Sequence, residues 1–394
     1  MGSARQPGGF GCELQSMLDV SQTMLHKLKG LRVCFIAGTL GQGGAERQLF
    51  YIVKVLAEHG ANPMVITLSE GETWEDPIRN LGVLVCPVGH SYGRVGRIVE
   101  ISSLAYRYHA HLVQAQHFYT NIYAAIAARV AGCPSIGAVR NSGAAEMAEM
   151  NPLLAKLSLL VNNHVLCNSK AAVSNLSRLG SSLKRLSVLS NCIDLGQFPL
   201  QRRLRKRDTL RVLGVGRLAP QKRFDRFLRI VAGLVKGKVD VQAVIVGDGP
   251  LLGELKRLRW ELGLDGHVEF VAATPEICAK YEWADVLLLT SDHEGTPNVL
   301  IEAAATGLPV VSSSVGDCGE LVVDGETGFL FEPSDEEAAA KALRKLAENR
   351  DLREAQGARG AGKMRDERGL AGLSGKLIEG YSKLLNLPVA SALS

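Results

Sequence analysis

Ser291-Asp292-His293-Glu294-Gly295-Thr296-Pro297-Asn298-Val299-Leu300-Ile301-Glu302-Ala303-Ala304-Ala305-Thr306-Gly307-Leu308-Pro309 decides the reading of this 394-residue chain. Thr296 reads as a helix N-cap, Pro297 as the first helical residue, and Gly307 with Pro309 as the stop. The stretch therefore predicts a helix from Pro297 to Thr306. Nearly every face of that helix is apolar, so it belongs among neighbours rather than in water. An ionised Glu302 inside it is costly to bury unless something hydrogen-bonds or pairs with it, and the reading assigns that place to a ligand. Glu294 sits in the loop after an apolar strand, Ala284 to Thr290, at the carboxyl end of a sheet, where open α/β folds bind ligands. Taken singly, each acid could equally serve structure, Glu302 by capping a neighbouring loop and Glu294 by facing solvent.

The same alternation of short β-branched strands and amphipathic helices extends in both directions, the pattern of a parallel sheet covered on both faces. Strands are predicted at Arg32 to Ala37, Pro63 to Leu68, His111 to Ala115, Ser135 to Val139, His164 to Cys167 and Leu186 to Leu189. A basic run from Gln201 to Arg207, QRRLRKR, interrupts the pattern and reads as an exposed linker. The alternation then restarts at Leu210 to Val215, Val241 to Val246, Val268 to Val271, Val286 to Thr290 and Val310 to Ser313. The chain is long enough for two cores of ordinary size. The predicted organisation is an extension over 1–30, a first domain over 31–198, a linker over 199–208, a second domain over 209–368, and a C-terminal helix and tail over 369–394. Met1 to Gly11, rich in Gly, Pro and Gln, reads as disordered. Leu14, Met17, Leu18, Leu25 and Leu28 then fall near one helical face, with Lys27 and Lys29 at its end. That helix could pack on the protein's own body or touch a membrane.

Composition narrows the function classes. A hydrophobic content of 46% with 22% charged residues is that of a globular protein. The net charge of +5 favours anionic ligands or surfaces without demanding either. Neither aromatic-basic alternation nor helix-turn-helix or zinc-finger spacing is present to indicate nucleic acid. Cys12, Cys34, Cys86, Cys133, Cys167, Cys192, Cys278 and Cys318 are dispersed, with no C-x2-C pair, so neither a metal site nor a disulfide framework is expected. Cys34 and Cys167 lie in strand-like apolar runs, which suits a reducing cytoplasm. No segment has the length of a spanning helix, and the first thirty residues lack a signal peptide's apolar core. The expected location is cytoplasmic, with a place at the inner face of the membrane left open.

Glu294 and Glu302, with seven residues between them, resemble the E-x7-E signature of retaining glycosyltransferases, most closely glycosyltransferase family 4. Gly43-Gly44-Ala45-Glu46 after the first strand, Asn191-Cys192-Ile193-Asp194 with Phe198, and Gly216-Arg217-Leu218-Ala219-Pro220-Gln221-Lys222 agree in order. So do Val246-Gly247-Asp248-Gly249-Pro250 and Thr327-Gly328-Phe329-Leu330. The resemblance covers Leu31 to about Leu385. It implies an α/β fold of two Rossmann-like domains facing a cleft, the GT-B architecture, with Leu370 to Leu385 crossing back onto the first domain. It implies transfer of a sugar from a nucleotide diphosphate sugar, UDP-linked by default, to a hydroxyl on a glycan or lipid-linked acceptor. No separate cofactor is implied. The extension before Leu31 departs from the family, as do Cys192 in N-G-[IV]-D, Asp317-Cys318-Gly319 in place of a glycine-proline loop, and Thr296-Pro297-Asn298 in place of Phe-Gly.

The residues themselves suggest roles. Gly43 and Gly44 open a helix whose N–H groups can hold a phosphate or sugar oxygen. Glu46 stands where a G-x-G-x-x-G fingerprint needs its third glycine and would repel a pyrophosphate, which argues against a nicotinamide-dependent oxidoreductase even with Glu70 offered for a ribose. Arg217 and Lys222 can grip a diphosphate and offset the charge that grows as it leaves. No D-x-D motif brings a metal. His117, after the strand HLVQA, and Arg140, after SIGAV, are placed at the cleft, and by resemblance His117 matches the histidine that touches the transferred sugar. Glu302 is assigned the ribose hydroxyls. Glu294 takes the sugar, with the N–H groups of Gly295 and Asn298 to Val299, and Thr296 lines the pocket. A GT-B sugar-nucleotide epimerase and a non-catalytic binding protein remain alternatives. A glycosidase fits poorly, because Glu302 on a buried helix is badly placed for it.

Overall fold

The computed structural model describes residues 28–89, 93–148, 150–180, 182–201 and 209–385. Two parallel sheets organise them. The first contains β1 (Arg32–Ala37), β2 (Asn62–Thr67), β3 (Leu84–Pro87), β4 (Leu112–Ala115), β5 (Ser135–Val139), β6 (His164–Cys167) and β7 (Leu186–Val188), in the order β3-β2-β1-β4-β5-β6-β7. The second contains β8 (Leu210–Val215), β9 (Val241–Val246), β10 (Val268–Val271), β11 (Val286–Leu289), β12 (Val310–Ser313) and β13 (Gly328–Phe331), in the order β10-β9-β8-β11-β12-β13. Helices cover both faces of each sheet. On β1, Val33, Phe35 and Ala37 enter one core and Cys34 and Ile36 the opposite one. On β11, Val286 and Leu288 alternate in the same way with Leu287 and Leu289. Burial on two sides is why these strands are apolar without interruption.

The strand order reverses between β1 and β4 in the first sheet and between β8 and β11 in the second. Crevices open at the carboxyl ends of strands beside such reversals. The loops that follow β1, β4, β8 and β11 are thus the ones the topology sets aside for ligands. The chain returns to its first domain at the end: Leu373, Leu377, Ile378 and Tyr381 of the helix Leu373–Leu385 join the first domain's core. The Tyr381 hydroxyl donates to Gln114 Oε1 on β4 at 2.8 Å.

Two strands, β3 and β13, are absent from the sequence reading. Both lie at sheet edges. An edge strand has one neighbour and needs no long apolar run, and Leu84 at the head of β3 is exposed. The helix of the opening stretch spans Asn298–Ala305, one residue short of the predicted span at each end, with Pro297 in the cap position. Thr296 does not cap it. Its hydroxyl donates instead to Asn168 O at 2.7 Å and Asp317 Oδ2 at 2.9 Å. Gly307 takes the left-handed conformation, φ +77°, that ends the helix. The predicted helix over Leu14 to Lys29, apart from its last two residues, the basic run Arg202 to Arg207 and the tail 386–394 lie outside the described residues. Among the described residues no helix is long and apolar enough to cross a membrane.

Candidate functional site

The loops after β8 and β11 are tied together before any charge is considered. Asp292 N–H donates to Gln221 O at 2.9 Å, and Thr290 Oγ1 donates to the carbonyls of Lys222 and Arg223, both at 3.0 Å. That fixes Lys222 beside Glu294. Lys222 Nζ donates to Glu294 Oε1 at 2.6 Å, and Ser291 Oγ donates to the same oxygen at 2.6 Å. Glu294 is buried, so this compensation is what permits its charge. Arg217 is exposed and makes no ion pair among the described residues.

A second layer of charge holds the frame. Arg223, at φ +51°, pairs with Asp225 at 3.0 Å and Asp292 at 2.9 Å. Those two carboxylates, acting through hydrogen bonds, raise its pKa above the usual guanidinium range. Arg226, only 5% exposed, donates to Thr290 O at 2.6 Å and Asp292 Oδ1 at 2.8 Å. Arg226→Met removes both bonds and leaves a buried carbonyl unpaired. Urea unfolding of that variant is expected to show a loss of about 1–3 kcal/mol. An unchanged midpoint and slope would rule out the anchoring role.

Glu302 is buried, but its partners belong to the protein. Arg47, from the first-domain helix Gly44–Glu58, pairs with Oε1, and the Tyr281 hydroxyl donates to Oε2 at 2.7 Å. Burial, and after it the Glu302 charge, pushes the Tyr281 hydroxyl well above its ordinary pKa. The place that the sequence reading assigns to a ligand is thus taken, at both carboxylate oxygens, by protein side chains. Arg47 follows directly on Gly43-Gly44-Ala45-Glu46, yet nothing local in the sequence connects it with Glu302.

In the first domain, His117 Nδ1 accepts from Gly38 N–H at 3.1 Å, which places the ring proton on Nε2, 3.0 Å from Glu46 Oε1. The ring stacks on Tyr119 with centroids 5.3 Å apart. The Glu46 carboxylate folds back over Gly43, and a side chain there would collide with it. The helix start at Gly43 and Gly44 is therefore occupied by the chain's own acid. Glu70 is exposed, and Glu72 instead holds the glycine loop by accepting from Thr39 Oγ1 at 2.7 Å and from Leu40 N–H. Arg140, placed at the cleft by the sequence, follows β5 and reaches the loop after β4. Its guanidinium donates to Gln116 O at 3.2 Å and Gln116 Oε1 at 3.0 Å, and burial lowers its pKa.

The two domains meet along a polar seam. A Cβ on Gly295 would stand 2.8 Å from Asn168 Oδ1 and 2.9 Å from Arg140 O, so only glycine permits this approach. Asn298 Oδ1 accepts from Asn191 Nδ2 at 2.9 Å and Gln48 Nε2 at 3.3 Å, and Gly44 packs against its amide. Thr296, predicted to line the pocket, is buried in this seam and bonded to Asn168 and Asp317. Val299 remains partly exposed in the first turn of its helix, where N–H groups lack intrahelical partners. The structure thus gathers Arg217, Lys222, Glu294 and the helix bearing Glu302 at the second sheet's reversal point. Gly43, Gly44 and His117 lie at the first sheet's, where Arg140 bonds to Gln116, and Thr296 is bonded within the seam. Asn168, Asn191 and Asp317, which join the domains, carry no chemical signature that a single sequence exposes. Among the described residues no group of three or more His, Cys, Asp or Glu is arranged to hold a metal.

Two parallel-sheet domains meeting at their reversal-point loops have the GT-B architecture. Two family descriptions match the chain in succession, Glycosyltransferase Family 4 over residues 42–197 and Glycosyl transferases group 1 over residues 200–363. The chain belongs to the family 4 glycosyltransferases. It is 26% identical to the lipopolysaccharide core biosynthesis glycosyltransferase LpsE of Rhizobium meliloti over 319 residues, 79% of this chain and 87% of that protein. Identity is 35% over 141 residues with the GDP-mannose-dependent alpha-(1-6)-phosphatidylinositol monomannoside mannosyltransferase of Mycolicibacterium smegmatis, 34% of this chain and 37% of that one. The chain thus matches little more than a third of the mannosyltransferase. The structure of HepE from Anabaena in complex with UDP and glucose superposes with a TM-score of 0.80 at 19% identity, covering 90% of this chain and all of that one.

Proposed function

We propose that the protein is a retaining glycosyltransferase that moves a sugar from a UDP-sugar to a hydroxyl of a glycan or lipid-linked acceptor. The observation that carries this reading is the gathering of Lys222, Glu294 and exposed Arg217 at one reversal point, beside the N-terminus of the helix that bears Glu302. Arg217 and Lys222 receive the diphosphate and offset the charge that develops as it leaves. Glu294 and the N–H groups of Gly295, Asn298 and Val299 hold the sugar, with His117 on its other side. Glu302 keeps lone pairs beyond those used by Arg47 and Tyr281 and offers them to the ribose. In this reading the departing phosphate takes the acceptor proton on the same face as the departing bond, and no side-chain base is assigned. The complex of HepE with UDP supports the choice of nucleobase, whereas the smegmatis relative is named for GDP-mannose.

Incubation with a panel of UDP- and GDP-sugars and a mixture of acceptors tests the proposal. Release of free nucleotide diphosphate with one UDP-sugar, and a product of unchanged anomeric configuration by NMR, is expected. Conversion of the donor with no acceptor consumed would instead identify an epimerase. The charge is supplied by side chains in this reading, so EDTA is expected to leave the rate unchanged. Loss of activity that magnesium or manganese restores would overturn the metal-free assignment.

A further inference from the structure

The helix Pro152–Leu160, PLLAKLSLL, has its polarity reversed. Ala155, Ser158 and Leu159 face the protein, whereas Leu153, Leu154, Leu157 and Leu160 are 76%, 44%, 43% and 51% exposed. Positions 153, 157 and 160 share one helical face, with Lys156 and Leu154 along its margins. The side turned outward is the more apolar one. A surface helix in water shows the opposite arrangement, and a contiguous leucine face of this kind marks a contact with something apolar.

The helix is held firmly in place. Asn151 Oδ1 caps it by accepting from Leu153 N–H at 3.0 Å. At its other end Arg129 donates to Val161 O at 2.8 Å and Arg185 to Leu160 O at 2.9 Å. Those arginines bring positive charge to the end of the leucine face. Residues 150–193 contain five Lys or Arg and no Asp or Glu. Only Lys170 of the five pairs with an acid, Glu320 of the second domain, among the described residues. Lys156, Arg178 and Lys184 are exposed.

We propose that this face docks on an anionic lipid bilayer, with the four leucines entering the headgroup boundary and Lys156, Arg129, Lys184 and Arg185 meeting lipid phosphates. Leucines flanked by cations suit that boundary, where apolar burial and attraction to anionic lipid add. A second copy seated face to face would oppose the same cations to one another. The proposal does not depend on the transfer chemistry.

Sedimentation of the full chain with vesicles tests it, using phosphatidylcholine alone and phosphatidylcholine mixed with phosphatidylglycerol at physiological salt. The wild type is expected to pellet with the anionic vesicles and to be released as salt rises. Leu153→Glu combined with Leu157→Glu should weaken that partitioning by roughly tenfold or more, because two apolar side chains leave the boundary. Lys156→Glu should weaken it by a similar factor, since the local charge changes twice. Both leave the buried face untouched, so thermal unfolding should match the wild type. The leucine variant should also lower binding when Arg202, Arg203, Arg205, Lys206 and Arg207 are replaced by Gln, which separates this face from the basic run. Equal pelleting of wild type and both variants overturns the proposal. So does the absence of binding to anionic vesicles, or a dimer in sedimentation velocity that the leucine variant dissolves while vesicles capture neither protein.

Discussion

Lys222→Ala is expected to slow sugar transfer by about 10²-fold or more, and Arg217→Ala by a similar factor, because in the proposed reading each removes a cation from the place where the leaving diphosphate gains charge. The two variants should part company in stability. Lys222 is the countercharge of a buried carboxylate at 2.6 Å, and its removal leaves Glu294 with the Ser291 hydroxyl. Leaving a buried ion unpaired costs about 3 kcal/mol in comparable cases. Arg217 is exposed and pairs with nothing among the described residues, so its loss should leave unfolding unchanged. Steady-state rates beside thermal melts give the comparison. A rate for Arg217→Ala within about threefold of wild type would remove it from the diphosphate site. A slow Lys222→Ala enzyme whose stability is intact would show that Glu294 does not depend on Lys222 for its compensation.

The parts legible in the sequence share a physical cause. Central strands such as β1 and β11 are apolar without a break because helices cover both of their faces, and they were read to within a residue or two. Of the four edge strands, β7 and β10 are legible and β3 and β13 are not, so a single neighbour weakens the pattern without always hiding it. Arg217, Lys222 and Glu294 could be placed together because each follows a recognisable strand, and parallel topology brings those strand ends to one edge. The pairing of Arg47 with Glu302 spans 255 positions and joins two domains. Nothing local encodes such a pair. The Thr296 error is of the same kind, since a hydroxyl that could cap its own helix bonds instead to Asn168 across the seam and to Asp317. Arg140 is placed by its strand end, and its bonds to Gln116 keep it beside the loop after β4.

The Arg47 pair also sharpens what Glu302 must show. If Glu302 holds the ribose, Glu302→Gln is expected to weaken binding of free UDP by roughly 1–3 kcal/mol, because a charge-assisted bond is lost and an amide hydrogen faces the wrong way. If Glu302 serves only to latch the domains through Arg47, the same substitution lowers unfolding stability while the UDP dissociation constant stays put. Tyr281→Phe distinguishes the two further. It deletes the 2.7 Å bond to Oε2 without altering the charge, so a ribose site should lose less affinity with it than with Glu302→Gln. Isothermal titration of both variants, each paired with a urea unfolding curve, gives the necessary measurements. A folded Glu302→Gln protein that binds UDP as the wild type does would withdraw Glu302 from the donor site and leave it as the first domain's anchor on the second.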